Sequence, residues 1–199
     1  MLNSQKDKLQ GVRIILLAPY TQLYPLKQII SQLSVPLELG AQSVSPYPEG
    51  AYTGQISAGM LKELVNWVIV GHSERRKFFH ETDTDLAEVT KQAKAAGLSV
   101  IYCVSDDIQP VPPGVDVAAY EPVWAIGTGK TDTPENADGV IRSIKTKTGI
   151  VKAIYGGSVV PDNVLTFVNQ PDIDGVLPGG ASLDPEKFYS LIINAVTRS

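Results

Sequence analysis

Seven short runs of β-branched and aliphatic residues are spread along the whole chain, at 12–18, 37–41, 67–70, 99–104, 117–119, 150–155 and 173–177. Most are near-continuous and do not alternate with polar residues, the pattern of strands covered on both faces, as in a parallel sheet. Between them lie stretches with helical spacing. Residues 23–33 put Leu26, Ile29, Ile30 and Leu33 on one face, and 84–96 follow a polar cap and close at Gly97. Pro134-Glu135 opens a segment ending at Gly149. Asp184-Pro185-Glu186 opens a last one, with proline in the first turn, where its missing N–H costs nothing. Strand and helix in strict turn predict an α/β fold with parallel strands and right-handed crossovers. Two places break the rhythm. No apolar run precedes Val12, and the connection from Cys103 to Val117 carries Pro110, Pro112 and Pro113, which predicts a bare loop instead of a helix.

The chain has 199 residues and no linker or low-complexity tract, so one domain spanning 1–199 is expected. An apolar fraction of 43% and a charged fraction of 19% are those of a globular protein. A net charge of −4 gives no reason to expect nucleic acid or an anionic membrane as partner. A phosphate would therefore have to be held by a local site. Cys103 is the only cysteine, which excludes an internal disulfide and favours a reducing compartment. No stretch is long and apolar enough to span a bilayer, and the polar first eight residues lack a signal's apolar core. The expected location is cytoplasmic.

Three groups of residues carry chemistry. GHSERR at 71–76 follows directly on the run at 67–70. A histidine there, just before a helix start, faces oriented backbone N–H groups that disfavour the imidazolium, and a neutral imidazole can polarise a carbonyl. The plainer reading of His72 is a structural hydrogen-bonder. His80, the second histidine, reads as surface or helix-start structure. In YEPVWAIGTGK at 120–130, Glu121 stands at the end of a run. The loop after it is bounded by proline, and its small residues suit a lid that closes over an anion and desolvates a carboxylate base. A glycine turn beside a salt-bridged glutamate is the alternative, but it leaves Trp124 and Ile126 in a loop without explanation. Finally, YGGS at 155–158 and LPGGAS at 177–182 follow the last two runs. Backbone N–H groups of paired glycines can point at a phosphate, and Ser158 adds a hydroxyl. Phosphate sites after the last two strands recur in β/α barrels.

These segments together resemble the triosephosphate isomerase family. AYEPVWAIGTGK at 119–130 is similar to its base and lid signature, and VGHSERR at 70–76 to its electrophile strand. GAYTGQIS at 50–57 resembles the loop that reaches across the family's dimer interface. The runs at 155–158 and 175–182 resemble its phosphate loops. The similarity is read from about Val12 to the C-terminus. It implies a TIM barrel that interconverts dihydroxyacetone phosphate and glyceraldehyde 3-phosphate in glycolysis and gluconeogenesis. In that reading Glu121 is the base and His72 the neutral electrophile, with Ser73 and Glu74 in support. Gly127, Ser158, Gly179 and Gly180 contact the phosphate. No metal or organic cofactor is implied; a phosphorylated triose is the partner, with a homo-oligomer as the assembly.

The chain also departs from the family pattern. The family's first strand, ending in Asn-x-Lys, has no counterpart, since Asn3 and Lys6 are wrongly spaced and follow no apolar run. The block before Val12 resembles a first helix at best, and Glu74 loses the lysine it would support. The helix between the fifth and sixth strands is missing too, leaving an incomplete barrel of about seven parallel strands. Ser43 stands where the family has asparagine, Ser105 follows Cys103 where glycine is usual, and Pro178 precedes Gly179. Three readings follow: an active isomerase in which Lys6, Lys8 or another cation partly replaces the lost lysine; a weakly active or non-catalytic sugar-phosphate binder; or a chain whose first strand lies upstream of Met1. A Schiff-base aldolase would want a lysine at a strand end, and none is found.

Overall fold

The computed structural model describes residues 2–9, 11–33, 37–124 and 131–196. The chain gathers into two compact units, one of residues 11–102 and 110–116, the other of 1–10, 103–109 and 117–199.

In the first unit, strands β1 (Ile14–Ala18), β2 (Leu37–Ala41), β3 (Trp67–Val70) and most of β4 (Ser99–Val104) pair in chain order, all parallel. The register sets Ala18 beside Ala41, Ala41 beside Val68, and Val70 beside Tyr102. All four residues of β3 are buried, which is why its sequence carries no polar alternation. Helices α1 (Tyr20–Ile30), α2 (Ala58–Lys62), α3 (Ser73–Phe79) and α4 (Asp83–Ala95) fill the connections. Helix α4 is fixed by a reciprocal cap, with Thr82 Oγ1 accepting from the Asp85 N–H and the Asp85 carboxylate accepting from the Thr82 N–H. Helix α1 corrects the expectation for 23–33. It starts three residues earlier, after an extended Pro19, and ends at Ile30, so Leu33 lies beyond it. Its inward stripe is Leu23, Leu26 and Ile30; Ile29 falls off that stripe and is exposed.

In the second unit, β5 (Val117–Tyr120) pairs in parallel with β6 (Ala153–Tyr155), and α5 (Pro134–Thr148), α6 (Val164–Val168) and α7 (Pro185–Val196) pack around them. Helix α5 begins under Thr133, whose side chain accepts from the Asn136 N–H, and ends on Gly149 in the left-handed region. That turn is why the run at 150–155 shortens to three residues: Val151, just past it, is 78% exposed. The seventh run is reduced to a single bridge, Tyr155 to Val176. As the sequence predicts, no helix lies between β4 and β5. Instead Asp107 accepts from Ser143 Oγ at 2.6 Å and Lys147 Nζ at 2.5 Å, pinning the start of the loop to α5. Residues Leu2–Leu9 form a 3₁₀ helix with Leu9 fully buried, and among the described residues no strand precedes Ile14. The fold is α/β, an incomplete TIM barrel.

Asp174 ties the seventh run to β6. Its carboxylate accepts from the Ala153 N–H at 2.8 Å and meets Lys145 Nζ at 2.7 Å and Lys152 Nζ at 2.9 Å. Burial pushes this carboxyl up, but those hydrogen bonds outweigh burial and hold it below its ordinary value. A depressed folded pKa contributes stability that is complete above the unfolded value of about 3.9 and is lost as pH falls through the folded one. Asp174→Asn should therefore be less stable than wild type at pH 7, the gap closing below about pH 4. Urea unfolding from pH 7 to pH 3 measures it.

Candidate active site

Gly71, with φ of 74°, turns the chain at the end of β3 and delivers His72 as the cap of α3. The imidazole does what Ser or Asp usually does at this position: Nδ1 accepts from the Glu74 N–H at 3.3 Å. A nitrogen that accepts carries no proton, so in this arrangement the ring proton is on Nε2. Arg76 braces the turn, donating to the Gly71 carbonyl at 2.9 Å and the Tyr102 hydroxyl at 3.1 Å, and pairing with Asp83 at 2.7 Å. Glu74 is largely exposed, its carboxylate 3.8 Å from His72 Nδ1, and Ser73 is the first residue of the helix. His80 lies at the other end of α3, exposed, with φ of 56°, a helix stop and not a start. In the same unit the Tyr20 hydroxyl hydrogen-bonds Ser43 beyond the ends of β1 and β2, and burial pushes its pKa up. The serine that departs from the family's asparagine was the only sequence signal for that pair.

The second unit holds the other candidates. Glu121 follows the last residue of β5 and is only 3% exposed. Its N–H donates to the Val104 carbonyl at 2.7 Å. Its side chain lies against Gly156, whose N–H donates to the Tyr120 carbonyl at 2.8 Å; a Cβ on Gly156 would come within 2.9 Å of Glu121 Cγ. Ser158 stands two residues on, in a turn held by Asn163, which donates to the Ser158 carbonyl at 3.1 Å and accepts from the Val160 N–H at 2.8 Å. This unit thus joins Glu121 to the 156–158 turn, with Gly156, which the sequence reading gave only to the phosphate, as the point of contact. Gly179 and Gly180 are exposed at the start of a 3₁₀ turn, where a Cβ on either would meet nothing within 4 Å among the described residues. The Gly179 carbonyl accepts from the Ser182 N–H at 2.9 Å and hydroxyl at 2.6 Å. Trp124 is 56% exposed. Gly127 lies outside the described residues, as do Ile126 and Gly129; so does the side chain of Lys6, while Lys8 is exposed.

Among the described residues no group of His, Cys, Asp and Glu could hold a metal ion, and no helix is long and apolar enough to cross a membrane. The first unit offers an imidazole with Nδ1 occupied at a strand end; the second offers a buried carboxylate at a strand end and, among the described residues, open space beside the glycine turn at 179–180.

Comparison with known proteins gives the family. The family model described as Triosephosphate isomerase matches residues 1–195, so the likeness extends ahead of Val12, where it was read from the motifs. The chain is 37% identical to the triosephosphate isomerase of Corynebacterium efficiens, with 96% of this chain and 85% of the relative covered. It is 37% identical to that of Carboxydothermus hydrogenoformans, covering 98% and 90%. Identity to that of Mesomycoplasma hyorhinis is 41%, covering 81% and 76%. On the family match and these identities, the chain belongs to the triosephosphate isomerase family.

Proposed function

We propose that the chain, as a single domain, interconverts dihydroxyacetone phosphate and glyceraldehyde 3-phosphate through an enediolate. Glu121 takes the proton from the carbon beside the substrate carbonyl and returns it to the neighbouring carbon. His72, neutral with its proton on Nε2, donates to the carbonyl oxygen and moves a proton between the two oxygens of the enediolate. Triosephosphate isomerase is itself the standard case of a glutamate base paired with a neutral histidine, so this pairing comes from the family. Ser158, Gly179, Gly180 and Gly127 hold the phosphate, and Ser73 and Glu74 support His72. The observation that carries the reading is the burial of Glu121 at the end of β5, fixed through its own N–H and by Gly156. The acceptor role of His72 Nδ1 supports the second half. The same reading makes the protein a cytoplasmic homo-oligomer with no nucleic-acid or membrane partner.

A coupled assay of dihydroxyacetone phosphate conversion on the 199-residue chain tests this. Turnover is expected. Losing one electrostatic stabiliser, such as the lysine of a first strand, costs ~10²–10³ in rate, so kcat should fall below that of relatives carrying it by about that factor. A chain that binds a phosphorylated enediolate mimic without turnover would instead be a sugar-phosphate-binding remnant of the family.

A further inference from the structure

Asp132 is buried, and neither the proposed mechanism nor the family signature uses its carboxylate. Its Oδ2 accepts from the Tyr120 hydroxyl at 3.2 Å and from Asn136 Nδ2 at 2.8 Å, and its Oδ1 accepts from the Thr133 N–H at 2.8 Å and from Asn136 Nδ2 at 3.0 Å. Its own N–H donates to the Tyr155 hydroxyl at 3.0 Å. Tyr120 immediately precedes Glu121, and Tyr155 immediately precedes Gly156, the residue packed on Glu121 Cγ. One residue therefore bonds to both tyrosines whose neighbours define the carboxylate's position.

The surroundings leave these groups little freedom. Tyr155 stacks on Phe167 at 4.2 Å, and the absence of a Cβ at Gly157 makes room for its hydroxyl, since one there would lie 2.1 Å away. Burial, together with the Asp132 charge, pushes the Tyr120 hydroxyl well above the ordinary phenol value, so it remains a donor. Thr133 and Asn136, at the start of α5, orient the carboxylate in turn. In a buried network each bond restrains the next, and losing the acceptor leaves a buried hydroxyl with its donor unmet.

We propose that Asp132 is a positioning residue for Glu121: through Tyr120 on one side and Tyr155 on the other, it fixes where the carboxylate stands. The inference rests on reading Glu121 as the base.

The test is steady-state kinetics on purified Asp132→Ala, Asp132→Asn, Tyr120→Phe and the double variant Asp132→Ala/Tyr120→Phe, beside Glu121→Gln. Asp132→Ala is expected to lower kcat by about tenfold or more with KM within about threefold, because a displacement well under 1 Å at a reacting group already costs rate. Asn keeps an oxygen for the Thr133 N–H but puts amide hydrogens where the Tyr120 hydroxyl and Asn136 Nδ2 both donate, so Asp132→Asn should lower kcat much as Asp132→Ala does. Tyr120→Phe should lower kcat in part, and the double variant should lose less than the product of the two single losses, since both act through one bond. A purely structural role would lower Tm in each variant while leaving kcat per folded molecule unchanged, and would overturn the proposal; so would multiplicative losses. If Asp132→Ala does not fold, Tyr120→Phe decides alone: reduced kcat at unchanged KM supports the proposal, and unchanged kcat overturns it. Glu121→Gln separates the two ideas. Wild-type kcat in that variant would refute the base itself, whereas an inactive Glu121→Gln beside an unaffected Asp132 series refutes only the positioning.

Discussion

Glu121→Gln is expected to lower kcat for dihydroxyacetone phosphate by ~10²–10⁴, the usual contribution of a positioned general base. The amide fills the same volume and keeps a hydrogen-bonding oxygen, so the packing against Gly156 should survive and Tm should change little. It cannot accept the substrate's carbon-bound proton. Because the loss falls on a step reached only after binding, KM and the affinity for a phosphorylated enediolate mimic should stay within a few-fold of wild type. Glu121→Asp gives a graded version. It restores the carboxylate but withdraws it by one methylene, and a displacement of about 1 Å at a reacting group costs on the order of 10²-fold. The coupled assay, with binding of the mimic as control, reads both. A Gln variant retaining more than a tenth of wild-type kcat would remove Glu121 from the chemistry.

The strand framework was readable because burial on both faces leaves a run with no polar alternation. Val68, Ile69 and Val70 are buried in β3 as their sequence requires. Helix ends were readable where a single residue dictates them: Gly149 and Gly97 adopt the left-handed backbone that only glycine takes without cost, and Pro185 opens α7. The misses are of other kinds. Val151 belongs by composition to a strand, but the turn at Gly149 sets it outside the sheet. Ile29 looked inward because residues 23–33 were read as one stripe, whereas Leu23, Leu26 and Ile30 are that stripe. Within the candidate site, Glu121 and His72 stood out because their motifs are local. The pairing of Asp132 with Tyr120 and Tyr155 did not, because it joins residues 12 and 23 positions apart through the fold alone. Nor does a sequence show that His72 caps a helix with its ring, since histidine is not a usual capping residue.

Gly156 is where the sequence reading and the structure differ most in meaning, and its replacement should be nearly as damaging as loss of the base. From the sequence, the glycine pair at 156–157 is a place where backbone N–H groups approach a phosphate. In the fold, a Cβ on Gly156 would stand 2.9 Å from Glu121 Cγ, 3.5 Å from Glu121 Oε1 and 3.5 Å from the Tyr120 carbonyl. The Tyr120 carbonyl is fixed, because it already accepts from the Gly156 N–H at 2.8 Å. Glu121 Cγ is not the free end of a long side chain that could swing aside; the residue is buried and held through its own N–H. The added methyl must therefore push the carboxylate by several tenths of an ångström or more. Gly156→Ala is expected to lower kcat by about 10²-fold, the scale of a 1 Å misplacement, with KM changed far less. Crowding in a packed interior should also cost about 1–3 kcal/mol of stability, read as a lowered Tm. Gly179→Ala is the matched comparison. Among the described residues a methyl there meets no protein atom within 4 Å, so stability should hold, and any defect should appear as a raised KM where the phosphate is bound. Equal kcat in the two alanine variants would show that Gly156 serves the phosphate only and that Glu121 does not depend on the space it leaves.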